Sequence, residues 1–249
     1  MEGIDTSKEP RLRYLDWDSK FFSVRIARIE DRFLTPLAAE FVDEWCKTHS
    51  IDCLYFLSDS GDPASTRAAE DAGYRFLDVR LTLHRSVAAS SPVGPETSSV
   101  QIRQATAADI PQLRRIASGS HRTSRFYRDS NLPDTLCDRL YEIWIEKSVQ
   151  GYAEVVWVAV SDGPPLGYLS CHLRDGGGEI GLFGVSPAAR GKGVGLGLLE
   201  HALEKFAAQG LQSATVVTQG SNVPAIRLFE KVGFRARTVE FWYHKWFEV

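Results

Sequence analysis

The sequence predicts an α/β protein made of two units joined by a linker. Three observations carry this reading. Short β-rich runs alternate with amphipathic runs along the whole chain. The stretch Ser86–Ser99 is rich in Ser, Pro and Gly and has no periodicity. A pattern of helix, glycine stop, aromatic, arginine and strand occurs twice, as Glu70-Asp71-Ala72-Gly73-Tyr74-Arg75 and as Glu230-Lys231-Val232-Gly233-Phe234-Arg235. The expected division is a first unit at 1–85, a linker at 86–99 and a second unit at 100–249.

In the first unit, Phe21–Ile29 carries Val24, Ile26 and Ile29 among charges and reads as a strand. Trp17, Phe21 and Phe22 are expected in its core. Pro36 opens a helix with Phe41, Val42 and Trp45 on one side. Ile51–Leu57 is a short apolar strand. Pro63 opens a second helix that Gly73 ends, and Tyr74–His84 alternates as a strand.

The second unit starts with a strand at Gln101–Gln104. Thr106 and Asp109 make a capping-box start for a helix carrying Leu113 and Ile116. A further helix runs from Asp134, with Leu136, Leu140, Ile143 and Trp144 on one face, and stops before Gly151. Glu154–Val160, Leu166–Leu173 and Glu179–Val185 read as antiparallel neighbours, the last two joined through Gly176-Gly177-Gly178. A helix through Leu198, Leu199, Leu203 and Phe206 reaches Gly210. Ala214–Thr218 is a strand, Asn222 and Pro224 open a helix that Gly233 closes, and Val239–Trp246 is the last strand.

The net charge of −3 gives no electrostatic reason to expect nucleic acid as a partner. Met1–Pro10 is polar and lacks an apolar signal core, and no apolar run is long enough for a membrane span. The four cysteines are scattered and are expected to be reduced in a cytoplasmic protein. Cys46, His49 and Cys53 lack a fourth ligand and the usual spacing, so no metal is expected. A homodimer is left open as the assembly.

The chemistry centres on Arg190-Gly191-Lys192-Gly193-Val194-Gly195-Leu196-Gly197, immediately before an apolar helical run. Glycine in a helix costs about 1 kcal/mol relative to alanine, so this spacing is poor for stability alone. It suits a ligand that approaches the backbone closely, at a helix start whose free N–H groups favour an anion. Arg190 and Lys192 add positive charge. The run fits neither the dinucleotide fingerprint nor the P-loop.

What fits is R-x-x-G-x-G, from Arg190, Gly193 and Gly195. With N-x-x-A-x-x-L-F-x-x-x-G-F from Asn222 to Phe234, it resembles the GCN5-related N-acetyltransferase (GNAT) family over Val100 to the C-terminus. The resemblance implies a GNAT fold for the second unit, with a mostly antiparallel mixed sheet flanked by helices. The first unit would be a partial copy that lacks the glycine loop and supports acceptor binding. It also implies acetyl-CoA as cosubstrate, held by Phe183, Gly184, Val185, Arg190, Gly191, Lys192, Gly193, Val194, Gly195, Leu196, Asn222 and Phe229. Backbone N–H groups of Phe183 and Val185 would hold the thioester carbonyl and the pantetheine arm. Asn222 serves equally as a helix N-cap.

Glu179 is the candidate base, acting through water on the amine, with His121 and His172 as weaker candidates. Phe229 stands where many family members have a tyrosine that protonates the leaving thiolate. The thiolate would then leave unaided or be protonated by water or Tyr243. Arg122, Ser124, Arg125 and Tyr127, in the loop His121–Asp129, are the substrate candidates. That loop, the helix with Tyr141, Trp144 and Ile145, and Leu15–Phe22 resemble the dTDP-fucosamine type, which implies a small-molecule amine on a nucleotide-linked deoxysugar as acceptor. A peptide or antibiotic amine, or a non-catalytic acyl-CoA sensor, are the alternatives.

Overall fold

The computed structural model describes residues 9–87 and 100–247. The chain divides into two compact units, one of Met1–Arg80, Arg128–Leu132 and Val239–Val249, the other of Leu81–Tyr127 and Pro133–Thr238. This differs from a division at 86–99, because the last strand and a short internal segment group with the N-terminal residues. Most of the expected linker, 88–99, lies outside the described residues, and its start, Ser86, is still strand.

The first unit contains β1 (Leu12–Tyr14), α1 (Asp16–Phe22), β2 (Ile26–Ile29), α2 (Pro36–Thr48), β3 (Cys53–Asp59), α3 (Pro63–Asp71), the start of β4 (Arg75–Ser86) and the later part of β10 (Arg235–Trp246). β2 runs parallel to β3, and β10 runs antiparallel to β3 from Glu240↔Asp59 to Trp246↔Cys53. That seven-pair ladder is why the C-terminus belongs to this unit. Thr35 and Asp62 cap α2 and α3 with their side chains, as the sequence predicts at Pro36 and Pro63. The core holds Ile29, Val42, Leu54, Phe56 and Tyr243.

The expected strand at Phe21–Ile29 begins later than the sequence suggests. Phe21 and Phe22 close α1, Ser23 turns the chain at φ 58°, and only Ile26–Ile29 is strand. Ser19 Oγ accepts the Ile26 amide at 2.9 Å and so joins helix to strand. Phe22 is buried as expected, but Trp17 stays 36% exposed and stacks on Phe21 across one helical turn.

On the opposite face of this sheet, the buried Asp129 carboxylate accepts from His244 Nδ1 at 2.6 Å, Trp246 Nε1 at 2.9 Å and the Asn131 amide at 3.0 Å. Burial alone would raise the Asp129 carboxyl. The donors from His244, Trp246 and Asn131 outweigh it and hold the group below its ordinary value.

The second unit contains β5 (Gln101–Gln104), α4 (Ile110–Ser120), the short α5 starting at Arg125, α6 (Asp134–Lys147), β6 (Val155–Val160), β7 (Gly167–Arg174), β8 (Gly177–Val185), α7 (Val194–Ala208), β9 (Ser213–Gln219) and α8 (Val223–Lys231). β5, β6, β7 and β8 pair antiparallel in that order, and β8 pairs parallel with β9. The sheet is therefore mixed and mostly antiparallel. The capping box at Thr106 and Asp109 forms, leading through a 3₁₀ turn into α4. The predicted glycine turn is tighter than expected. Asp175 and Gly176 make it, while Gly177 and Gly178 are already strand, where the Phe206 ring of α7 lies against Gly178.

Candidate active site

Two irregularities of β8 shape the site. The first is a bulge, since Leu169 pairs with Phe183 but Cys171 pairs with Ile180. The second is a splay. β8 pairs with β9 at Gly178↔Ala214, Glu179↔Thr215 and Ile180↔Val216, whereas the strands continue to Val185 and Gln219. The amide of Leu182 donates to Ser170 Oγ on β7, and that of Ser186 donates to the Leu166 carbonyl on the same side. Amides alternate sides along a strand, so those of Phe183 and Val185 point away from β7, into the splay.

The glycine run meets this splay. Gly191 and Gly193 hold left-handed backbone at φ 75° and 80°, and α7 starts at Val194. The first intrahelical acceptor is the Gly193 carbonyl, taken by Gly197. The amides of Val194, Gly195 and Leu196 therefore lack intrahelical partners, at the positive end of a 15-residue helix. A Cβ on Gly195 would lie 3.2 Å from Leu228, 3.3 Å from Phe183 and 3.5 Å from Val185. A side chain there would press on the ends of three residues that line the cleft.

A cavity of about 690 Å³ occupies this junction. Of the cofactor candidates, Phe183, Gly184, Val185, Arg190, Gly191, Gly193, Val194, Gly195, Leu196 and Asn222 line it; Lys192 does not. Lys231, which sequence reasoning did not single out, contributes a cation to the wall, and Ser221 a hydroxyl-bearing residue. Asn222 sits at the N-cap position of α8, yet its side chain makes no capping bond. Its Nδ2 donates instead to Thr218 Oγ1 at 3.3 Å. The capping alternative therefore does not describe Asn222.

Phe229 does not line the cavity. It is 2% exposed, in the core shared by β8, α7 and α8, with its ring 6.1 Å from Phe183 and 5.8 Å from Phe234. Tyr243, a stand-in donor in the sequence reading, lies in the core of the first unit. Its hydroxyl donates to Glu70, and burial pushes it up to about 12. Glu179 also lies off the cavity wall, and its carboxylate pairs with Arg174 at 3.1 Å.

The substrate candidates are spent differently from expectation. Arg122 lines the cavity beside Thr123, but its guanidinium pairs with Asp134 at 3.0 Å and Asp138 at 3.2 Å and lies over the Tyr127 ring. Tyr127 donates to Asp138 at 2.7 Å, and burial, followed by that bond, raises its hydroxyl. Ser124 is buried, and the Arg125 guanidinium lies 3.9 Å from the Phe126 ring centre. The loop's polar groups thus brace α5 against α6, and two carboxylates of α6 already neutralise Arg122.

His121 stacks on Tyr141 at 4.3 Å and its Nε2 lies 3.2 Å from the Tyr168 hydroxyl. Burial pushes the ring down to about 4, so it is neutral near pH 7.

The family and the relatives agree with this geometry. Residues 115–234 match the model of the acetyltransferase (GNAT) family. The chain is 32% identical over 138 residues to the spore coat polysaccharide biosynthesis protein SpsD of Bacillus subtilis, covering 55% of this chain and 48% of that protein, about half its length. It is 26% identical over 235 residues to the dTDP-fucosamine acetyltransferase of Escherichia coli, covering 93% of this chain and 96% of that one. Among solved structures, the fold resembles a GCN5-related N-acetyltransferase from Sphaerobacter thermophilus, with a TM-score of 0.66 at 18% identity over 94% of this chain and 76% of the other. With the splayed strands and the glycine-led helix in the matched stretch, the chain carries a domain of the GNAT acetyltransferase family.

Proposed function

We propose that this protein transfers an acetyl group from acetyl-CoA to the amine of a small molecule, a nucleotide-linked amino-deoxysugar. The observation that carries the reading is the cavity where the β8/β9 splay meets the α7 N-terminus, with a glycine whose Cβ would come within 3.2–3.5 Å of Leu228, Phe183 and Val185 on its wall. A diphosphate suits the free amides of Val194, Gly195 and Leu196, with Arg190 and Lys231 as nearby cations. The amides of Phe183 and Val185 are then the donors for the pantetheine arm and the thioester carbonyl, and Asn222 lies beside that arm. The Escherichia coli relative's name supports the acceptor class, since the match runs through nearly the whole of both chains. No helix among the described residues is long and apolar enough to cross a membrane. The four cysteines are free and buried, which suits a reducing compartment, and we place the reaction in the cytoplasm.

The test is release of CoA thiol from acetyl-CoA against a panel of amines that includes dTDP-fucosamine. Turnover is expected with the nucleotide amino-sugar ahead of peptide and antibiotic amines. Tight acetyl-CoA binding with no thiol release for any amine would favour an acyl-CoA sensor.

A further inference from the structure

The cavity at the start of α7 follows one side of α8 along its length. Asn222, Ala225, Leu228 and Lys231 line it, at a three-residue spacing that stacks them on one helical face. The amide end of α7 meets this face at Leu228, since a Cβ on Gly195 would lie 3.2 Å from the Leu228 side chain. Asn222 comes before Leu228, about 9 Å back along the axis at about 1.5 Å per residue. Its side chain bonds Thr218 on β9, beside the splay. Lys231 comes after Leu228, about 4.5 Å beyond it in the other direction. The cavity therefore has one end at the splay and one at Lys231, with the α7 amides between them.

Resting on the acetyl-CoA reading above, we infer that Lys231 holds the 3′-phosphate of the coenzyme and makes the site distinguish CoA from 3′-dephospho-CoA. The ligand's own chemistry sets the order along the cavity. A diphosphate divides coenzyme A into a pantetheine arm that ends in sulfur and an adenosine whose ribose carries a phosphate monoester. With the diphosphate on the α7 amides and the arm in the splay, the adenosine leaves on the other side, toward Lys231. A phosphate monoester carries about −1.5 to −2 charges at pH 7 and offers three acceptor oxygens. An ammonium on a flexible stem has three donors and meets such a group without a fixed approach.

The other cations of the wall are placed for other work. Arg122 is paired with Asp134 and Asp138. Arg190 leads into the glycine run, and its Nε reaches the Val185 carbonyl at 3.4 Å, which keeps it beside the diphosphate amides. Lys231 is exposed, and no carboxylate among the described residues lies within salt-bridge distance of it. Its charge reaches Glu200 on α7, where it works against the larger effect of burial that raises this carboxyl. A phosphate thus takes Lys231 from no existing ion pair.

The experiment is calorimetric titration of CoA and of 3′-dephospho-CoA into wild type, Lys231→Ala and Lys231→Arg. Wild type is expected to bind CoA about three- to tenfold more tightly than dephospho-CoA, the scale of a charge-assisted contact open to solvent. Lys231→Ala should lose that preference through weaker CoA binding, while its dephospho-CoA affinity and its Tm stay at wild-type values. Lys231→Arg should keep the preference, because it keeps a cation on the same turn. Raising salt from about 50 mM to about 500 mM should shrink the wild-type preference and leave Lys231→Ala without one.

A wild type that binds the two ligands equally overturns the assignment while the acetyl-CoA reading stands. So does a Lys231→Ala protein that weakens both by the same factor, which puts the ammonium on the diphosphate. A Lys231→Ala protein that keeps the full preference also overturns it and puts the 3′-phosphate on another residue. A wild type that binds neither ligand overturns the acetyl-CoA reading itself, and this assignment with it.

Discussion

The Leu182 amide donates to the Ser170 hydroxyl at 2.7 Å, and this bond sets which way β8 presents its remaining amides. The bond fixes the bulge, and with it the direction of the Phe183 and Val185 amides. Ser170→Ala removes a buried acceptor and leaves the partly buried Leu182 N–H without its partner. The expected cost is about 1–3 kcal/mol of stability by denaturant unfolding. The acetyl-transfer kcat should fall further than acetyl-CoA affinity does. An unchanged kcat would separate the bulge from catalysis.

Phe229 offers a test of the missing acid. Its ring is buried in the core and off the cavity wall, so a tyrosine there places a hydroxyl among apolar neighbours. Phe229→Tyr is expected to lose about 1–3 kcal/mol of stability and gain no rate. A faster variant of unchanged Tm would mean that the hydroxyl reaches the CoA sulfur and supplies the proton.

The start of α4 predicts acid sensitivity. Arg103 donates two hydrogen bonds to Asp109, at 2.7 and 2.8 Å. This pairing is the main cause that lowers the Asp109 carboxyl to about 2, aided by the amide and hydroxyl of Thr106 against the opposing effect of burial. A carboxyl depressed in the folded state stabilises above its unfolded pKa and stops doing so as pH falls through the folded one. The contribution should be complete above about pH 4 and gone by about pH 2, on the order of 1–2 kcal/mol. Urea titrations of wild type and Asp109→Asn should therefore converge as pH falls through this window. A constant difference across it would contradict the pairing's role.

In the first unit, Asp129→Ala removes the acceptor shared by His244 and Trp246. The expected loss is about 2–4 kcal/mol, the range for leaving buried donors unanswered around a buried charge site. Thermal unfolding of the two proteins measures it, and an equal Tm would show that water or a neighbour replaces the carboxylate.

The α/β class, most elements and the glycine-led start of α7 are legible because they rest on local signals. Pro36, Pro63, Gly73 and Gly233 punctuate helices wherever they sit, and alternate glycines before Leu198 mark a helix start that borders the cavity. What was not legible depends on pairing. The bulge exists only against β7, so Gly181 carries no mark of it in the sequence. β10 reads as the last strand of the second unit, yet its later half is held by β3, some 180 residues upstream. Arg122 reads as a substrate candidate because Asp134 and Asp138 reach it only once α6 packs beside the loop. Lys231 enters the cavity wall through the pitch of α8, and nothing in its neighbours marks it.

Calorimetric titration of acetyl-CoA into wild type and Gly195→Leu tests most directly whether the cofactor lies between β8, α7 and α8. Leucine inside α7 favours the helix by about 1 kcal/mol over glycine, so the variant is expected to fold. Its side chain would start 3.2–3.3 Å from Leu228 and Phe183 and project into the cleft. The account predicts a folded variant whose acetyl-CoA affinity is at least about tenfold weaker, a loss of about 1.4 kcal/mol or more. A folded Gly195→Leu protein with wild-type affinity would contradict it.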